Sequence, residues 1–83
     1  MLQLKTLDLS ANNITELSLN INRLRNLVNL NLAQNHLTQL PLELKLDNLE
    51  TLNLQGNLIK SISNLNSIAE LKNLKILLKA LAT

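Results

Sequence analysis

The length and composition of the chain favour a small fold built in regular leucine layers. Its 83 residues include 25 leucines and no aromatic residue, so one aliphatic shape must fill nearly the whole core. The net charge of +2 comes from eight basic and six acidic residues without a cationic run, so we expect no direct nucleic-acid binding. Without cysteine, a secretory signal pattern or a membrane-length apolar run, the sequence predicts an intracellular protein, cytoplasmic or nuclear, with no membrane partner.

Three segments of the chain repeat one pattern. They read LKTLDLSANNI at 4–14, LVNLNLAQNHL at 27–37 and LETLNLQGNLI at 49–59, which gives periods of 23 and 22 residues. The centre of each segment alternates leucine with another residue, and a period of two is typical of a strand with one buried face. The sequence therefore predicts strands at about 5–9, 28–32 and 50–54, with the alternating leucines inward.

The residues between those leucines point to the opposite face of each strand. Stacked repeats would arrange them in three columns: Thr6, Asn29 and Thr51; Asp8, Asn31 and Asn53; Ser10, Ala33 and Gln55. Three strands about 4.8 Å apart offer only a few hundred Å², whereas a standard interface buries roughly 800 Å² on each side. The columns are candidate partner-binding residues, and polar surface without a partner is the other interpretation.

One asparagine follows each strand at the same place, at Asn12, Asn35 and Asn57. The chain turns there over its own core and would leave backbone N–H and C=O groups unpaired. A carboxamide carries both donors and an acceptor, so it can bridge those groups to the next coil. We therefore predict a structural asparagine ladder. Loop asparagines in contact with water are the alternative.

The connections between the strands are predicted to be mostly irregular. Leucines alternate in ITELSLNINRLRNL and LTQLPLELKLDNL, which favours extended or single-turn structure. The third connection differs, because Ser67 and Glu70 have the spacing of a capping box and predict a short helix near 68–73.

Two groups in the connections allow more than one interpretation. Leu19, Leu42 and Leu46 are extra apolar positions that either form a convex docking patch or lie beneath the convex backbone. Residues 23, 25 and 45 are basic and either form a corner for an acidic partner or are simply solvated.

The last ten residues, LKILLKALAT, follow the pattern only in part. Lys79 occupies the place of the third leucine and Ala82 that of the asparagine. A short edge strand near 75–77 competes with a helix that carries leucines 74, 77, 78 and 81. We favour the strand.

No arrangement of residues points to catalysis, to a metal or to a cofactor. His36 is the only histidine and has no cysteine or carboxylate at ligand or triad spacing. The carboxylates are spread singly along the chain, and Gly56, the only glycine, cannot form a phosphate-binding loop alone. We expect a protein that is not an enzyme.

The three segments resemble the leucine-rich repeat pattern L-x-x-L-x-L-x-x-N-x-L, and its plain intracellular variants of 22–23 residues in particular. The resemblance covers residues 4–77, and the last repeat, GNLIKSISNLNSIAELKNLKIL, is similar in spacing to those of the acidic leucine-rich nuclear phosphoproteins and of the spliceosomal leucine-rich A-prime protein. It implies an α/β solenoid: a right-handed arc with a parallel concave sheet of three to four short strands and a mostly irregular convex side with one short helix. It also implies a protein partner on the concave face and a scaffold or regulatory role.

The repeats divide a single domain, 1–83, at about 4–26, 27–48 and 49–73, with a partial repeat at 74–83. No capping element precedes Leu2 and Leu4, and solenoids need covered ends. The chain is therefore expected to be an excerpt of a longer solenoid, with ends covered by further repeats or by a neighbouring subunit. This favours a second hypothesis, in which the chain is a building block of a large assembly of the ribonucleoprotein or axoneme type.

Overall fold

Four short parallel strands form one sheet. The computed structural model describes residues 3–41 and 43–60 and the backbone of residues 76–79. Within these ranges the strands are β1 (Thr6–Asp8), β2 (Asn29–Asn31), β3 (Thr51–Leu54) and β4 (Ile76–Lys79), and they lie in that order across the sheet. The first three begin one residue later than predicted, and their existence and parallel arrangement are confirmed.

Successive repeats stack in a constant register. Thr6 of β1 lies beside Asn29 of β2, which lies beside Thr51 of β3. The ladder continues beyond the strand ends, where the N–H of Leu9 donates to the carbonyl oxygen of Asn31 at 2.8 Å. A slip of one residue would turn every core leucine outward, so burial of the leucines fixes this register.

The fourth strand settles the competing predictions for the end of the chain. Ile76–Lys79 pairs in parallel with β3, so the edge strand is confirmed and the helix is wrong at these four residues. Lys79 takes the register position beside Leu54, although the repeat pattern calls for leucine there. The helix predicted near 68–73 lies outside the described residues.

The core is a stack of aliphatic side chains behind the sheet. Four leucines of the second and third repeats, Leu30, Leu32, Leu52 and Leu54, are at most 1% exposed. Full burial of a leucine side chain is worth about 1.5–3 kcal/mol, so each of these leucines stabilises the fold substantially. Leucines 4, 7 and 9 of the first coil are only partly buried and pack against this core.

The first connection contains one turn of 3₁₀ helix, Leu19–Arg23. The side chain of Ser18 begins it by accepting the N–H of Asn20 at 3.1 Å, and Ile21 is buried beneath it. This agrees with the single-turn structure predicted for this connection. A 3₁₀ turn suits the place because its hydrogen bonds close within few residues.

Candidate functional site

The first outward column lies at the beginning of the strands. Two of its three side chains are joined by a hydrogen bond. The register brings together the residues Thr6, Asn29 and Thr51. The Nδ2 of Asn29 donates to the Oγ1 of Thr6 at 3.3 Å, and Asn29 is exposed. This column therefore presents small hydroxyl and amide groups to solvent.

The second column has a structural role that sequence reasoning missed. Asp8, Asn31 and Asn53 lie side by side in the register. The Oδ1 of each accepts the backbone N–H two residues further on, at 2.9, 3.0 and 3.0 Å. Such Asx turns bend the chain away from the strand. The signal was present in the sequence, because an aspartate or asparagine recurs at this position of all three repeats.

This column retains polar groups that a partner could use. The Nδ2 groups of Asn31 and Asn53 make no hydrogen bond to the described residues, so two donors remain available. Asp8 differs by its charge: hydrogen bonds from the Ser10 hydroxyl, first, and from the Ser10 backbone N–H hold the pKa of the Asp8 carboxyl below its ordinary value of 3.8. The column therefore combines a carboxylate with two neighbouring amide donors.

The third column is less exposed at its middle residue than at its ends. Gln55 is exposed and Ser10 is partly exposed, but Ala33, which the alternation placed outward, is buried at 9% exposure. Ala33 lies on the middle coil, and its methyl group is shorter than the side chains of the flanking coils. Ala33 can therefore offer a partner little surface.

The first two columns line a shallow concave depression of about 220 Å³. Leu7 and Leu30 also line it, but their side chains belong to the core behind the sheet, so the outward side chains of strands β1 to β3 form its surface. The described part of the concave face is thus a shallow polar surface laid over the core.

Asn35 joins the first and second coils through a buried carboxamide that is 1% exposed. Its Oδ1 accepts the backbone N–H groups of Asn12 and Ile14, both at 2.9 Å. Its Nδ2 donates to the carbonyl oxygen of Leu9 at 3.0 Å and to two carbonyl oxygens of its own coil at 3.0 and 3.2 Å. One side chain thereby satisfies backbone groups of two turns.

Asn57 repeats this arrangement one coil later, and both residues reach backwards. Its Oδ1 accepts the N–H of Leu37 at 3.0 Å, and its Nδ2 donates to Leu32 at 2.9 Å. The prediction that each asparagine reaches the next coil is therefore wrong in direction, because the bridges run to the preceding coil. Asn12 is exposed, and among the described residues its Nδ2 donates only to carbonyl oxygens of its own coil.

A second set of asparagines bridges the coils on the convex side and was missed from the sequence. Asn22 donates to the carbonyl oxygen of Glu43 at 2.9 Å and accepts the N–H of Lys45 at 2.7 Å. Asn48 donates to the carbonyl oxygen of Arg25 at 3.0 Å. A signal existed, since an asparagine directly precedes the first leucine of successive repeats at residues 26, 48 and 73.

The extra leucines of the connections do not all follow one interpretation, a docking patch or burial beneath the convex backbone. Leu46 is fully buried, as expected of a leucine beneath the convex backbone, whereas Leu19 is 50% exposed. Leu42 lies outside the described residues. Residues 23, 25 and 45 are exposed cations, so the basic corner is open to solvent.

The described residues hold no metal-binding cluster and no helix suited to a membrane. Within 3–41 and 43–60, no three histidine, cysteine or acidic side chains lie close enough to share a metal ion. His36 is exposed, and its backbone N–H donates to the carbonyl oxygen of Ile14 at 2.8 Å. No helix in the described part of the chain has the length and apolar character needed to span a bilayer.

Comparison with known families agrees with this geometry. The family model for the leucine-rich repeat matches residues 3–24 and 48–74, more than half of the chain. The chain therefore belongs to the leucine-rich repeat family, whose domains generally act as protein–protein interaction modules and are typically not catalytic. No curated protein sequence matches the chain. The resemblance of the last repeat to the nuclear phosphoproteins and the spliceosomal protein stays a prediction.

Proposed function

We propose that the concave face of this chain binds a protein partner and that the chain acts as a scaffold or regulatory subunit in the cytoplasm or nucleus. The observation that carries the proposal is the shallow depression on this face, lined by polar side chains that the register of strands β1 to β3 aligns. The Nδ2 donors of Asn31 and Asn53, which make no hydrogen bond to the described residues, would orient the partner together with the Asp8 carboxylate. No reaction is proposed.

Site-specific photo-crosslinking tests this proposal. A photoreactive amino acid would replace Asn29 on the concave rim in one protein and Asn20 on the convex 3₁₀ turn in another. Both positions are exposed, so the two probes are matched in accessibility. We expect a discrete protein adduct from position 29 in cytoplasmic or nuclear extract, which is lost when Thr51→Arg places a long cation on the rim. Identical adducts from both positions, or none from position 29, would contradict the proposal.

A second candidate function is that of a building block in a large assembly. The partial burial of leucines 4, 7 and 9 supports it, because the equivalent leucines of the next two coils are at most 1% exposed. A neighbouring subunit or a further repeat laid on the first coil would cover this layer. Sedimentation of the isolated chain separates the two candidates: an adaptor should be a folded monomer, and a building block should associate or fail to fold.

A further inference from the structure

Among the described residues, the hydrogen bonds between the first and second coils are interrupted along one side. They run as far as the bond from His36 to the carbonyl oxygen of Ile14 and resume where Asn22 bonds the second coil. Between these points, no hydrogen bond joins the described backbone of residues 15–21 to that of residues 38–41. Pro41, within that stretch, has no N–H to donate.

A groove of about 590 Å³ lies at this interruption. Its apolar surface comes from Leu19, which is 50% exposed, and from Pro41, above the buried leucines 17 and 40. A volume of this size is in the range of ligand-binding clefts, about 300–1,000 Å³. The exposure of Leu19 contrasts with Ile21 of the same 3₁₀ turn, which is 8% exposed.

The charge around the groove has one sign. Glu16 and Glu43 lie on its two walls and are exposed, and no lysine or arginine is among its described lining residues. Neither carboxylate forms an ion pair with the described part of the chain. This acidic rim stands out on a chain whose net charge is +2.

We propose that this groove docks a short extended segment of a partner protein in which a leucine-sized side chain lies between lysine or arginine residues. The apolar side chain would cover Leu19 and Pro41, and the flanking cations would lie beside Glu16 and Glu43. Backbone groups that are not bonded between the two described stretches can bond the main chain of an extended peptide, as in other peptide-binding edges. This surface is separate from the concave face, so its occupancy does not depend on the function proposed there.

A nuclear magnetic resonance titration of the full chain tests the proposal. The probe is a synthetic peptide that alternates lysine and leucine, and two comparison peptides replace its lysines by glutamate or its leucines by serine. We expect saturable shifts at the amides of residues 17–19 and 39–40 with the first peptide alone. Shifts confined to the concave strands, equal binding of the glutamate peptide, or no binding at millimolar concentration would overturn the proposal.

Substitutions test whether the peptide binds in the groove. Leu19→Ser should weaken it about fivefold to tenfold, since half of a leucine surface is lost from the contact. The matched control is Leu58→Ser, because Leu58 is 46% exposed elsewhere and should leave the affinity unchanged. Glu16→Gln with Glu43→Gln keeps the shape and should reduce both affinity and its salt dependence, about twofold to tenfold in affinity. The double glutamine variant tests the proposal if Leu19→Ser does not fold. An unchanged affinity of this double variant for the lysine–leucine peptide refutes the proposal.

Discussion

Replacing Asn35 by alanine should destabilise the fold by about 2–4 kcal/mol. The carbonyl oxygens that lose the Asn35 donor each keep another: Leu9 from Asn12, Leu32 from Asn57, and Ala33 from Ala11. The groups left without a hydrogen bond are therefore the backbone N–H groups of Asn12 and Ile14, which donate to the Oδ1 of Asn35. An unpaired buried backbone group costs about 1–3 kcal/mol, and these two are part-buried.

Asn12→Ala is the matched control, because it deletes the same carboxamide from the equivalent place. Its Nδ2 bonds are exposed to water, and the Leu9 carbonyl oxygen keeps the donor from Asn35. We expect a cost of about 0–1 kcal/mol, since water replaces exposed hydrogen bonds at little net cost.

Urea unfolding followed by circular dichroism measures both values. A small domain has an m-value of about 1 kcal/mol per molar urea, so Asn35→Ala should lower the midpoint by about 2–4 M. That is a large share of the roughly 4–12 kcal/mol available to a chain of this length. If Asn35→Ala and Asn12→Ala shift the midpoint equally, the buried backward bridge is not what stabilises the coils, and the reasoning fails.

Two further predictions concern the strand-to-turn junctions. Gly56 has a φ of +74°, and an added Cβ would lie 3.0 Å from the Gln34 side chain, so Gly56→Ala should cost about 1–2 kcal/mol in urea melts. Ala11→Gly, at the equivalent turn with a φ of 57°, should instead be neutral or stabilising by up to about 1 kcal/mol, and equal effects of the two would argue against backbone strain. The lowered pKa of Asp8 means that its charged form favours the folded state, so this contribution is present above pH 3.8 and is lost as the pH falls through the folded pKa. Asp8→Asn, which keeps the Asx bond that asparagine makes in the next coils, should therefore lose less stability than the parent between about pH 5 and pH 2, and parallel pH profiles would contradict this.

The sequence alone determined the repeat, the strands and the inward leucines. These depend on periods along one chain, and a period of two with a buried face leaves a strand few alternatives. It also identified Asn12, Asn35 and Asn57 as turn residues, because a turn over a core leaves backbone groups that a carboxamide can satisfy. The edge strand Ile76–Lys79 could be predicted because the last segment keeps leucines 74 and 77, two of the three leucine positions of the pattern.

Only the tertiary structure decided how neighbouring coils use these side chains. The backward direction of the asparagine bridges, the burial of Ala33 and the convex bridge from Asn22 all depend on which atoms of the adjacent coil come within hydrogen-bonding or packing distance. Leu19 and Leu46 have the same side chain in similar connections, yet one is half exposed and the other is buried. Periodicity assigns a residue to a face, and the fit between coils decides whether that residue bonds, packs or stays open to a partner.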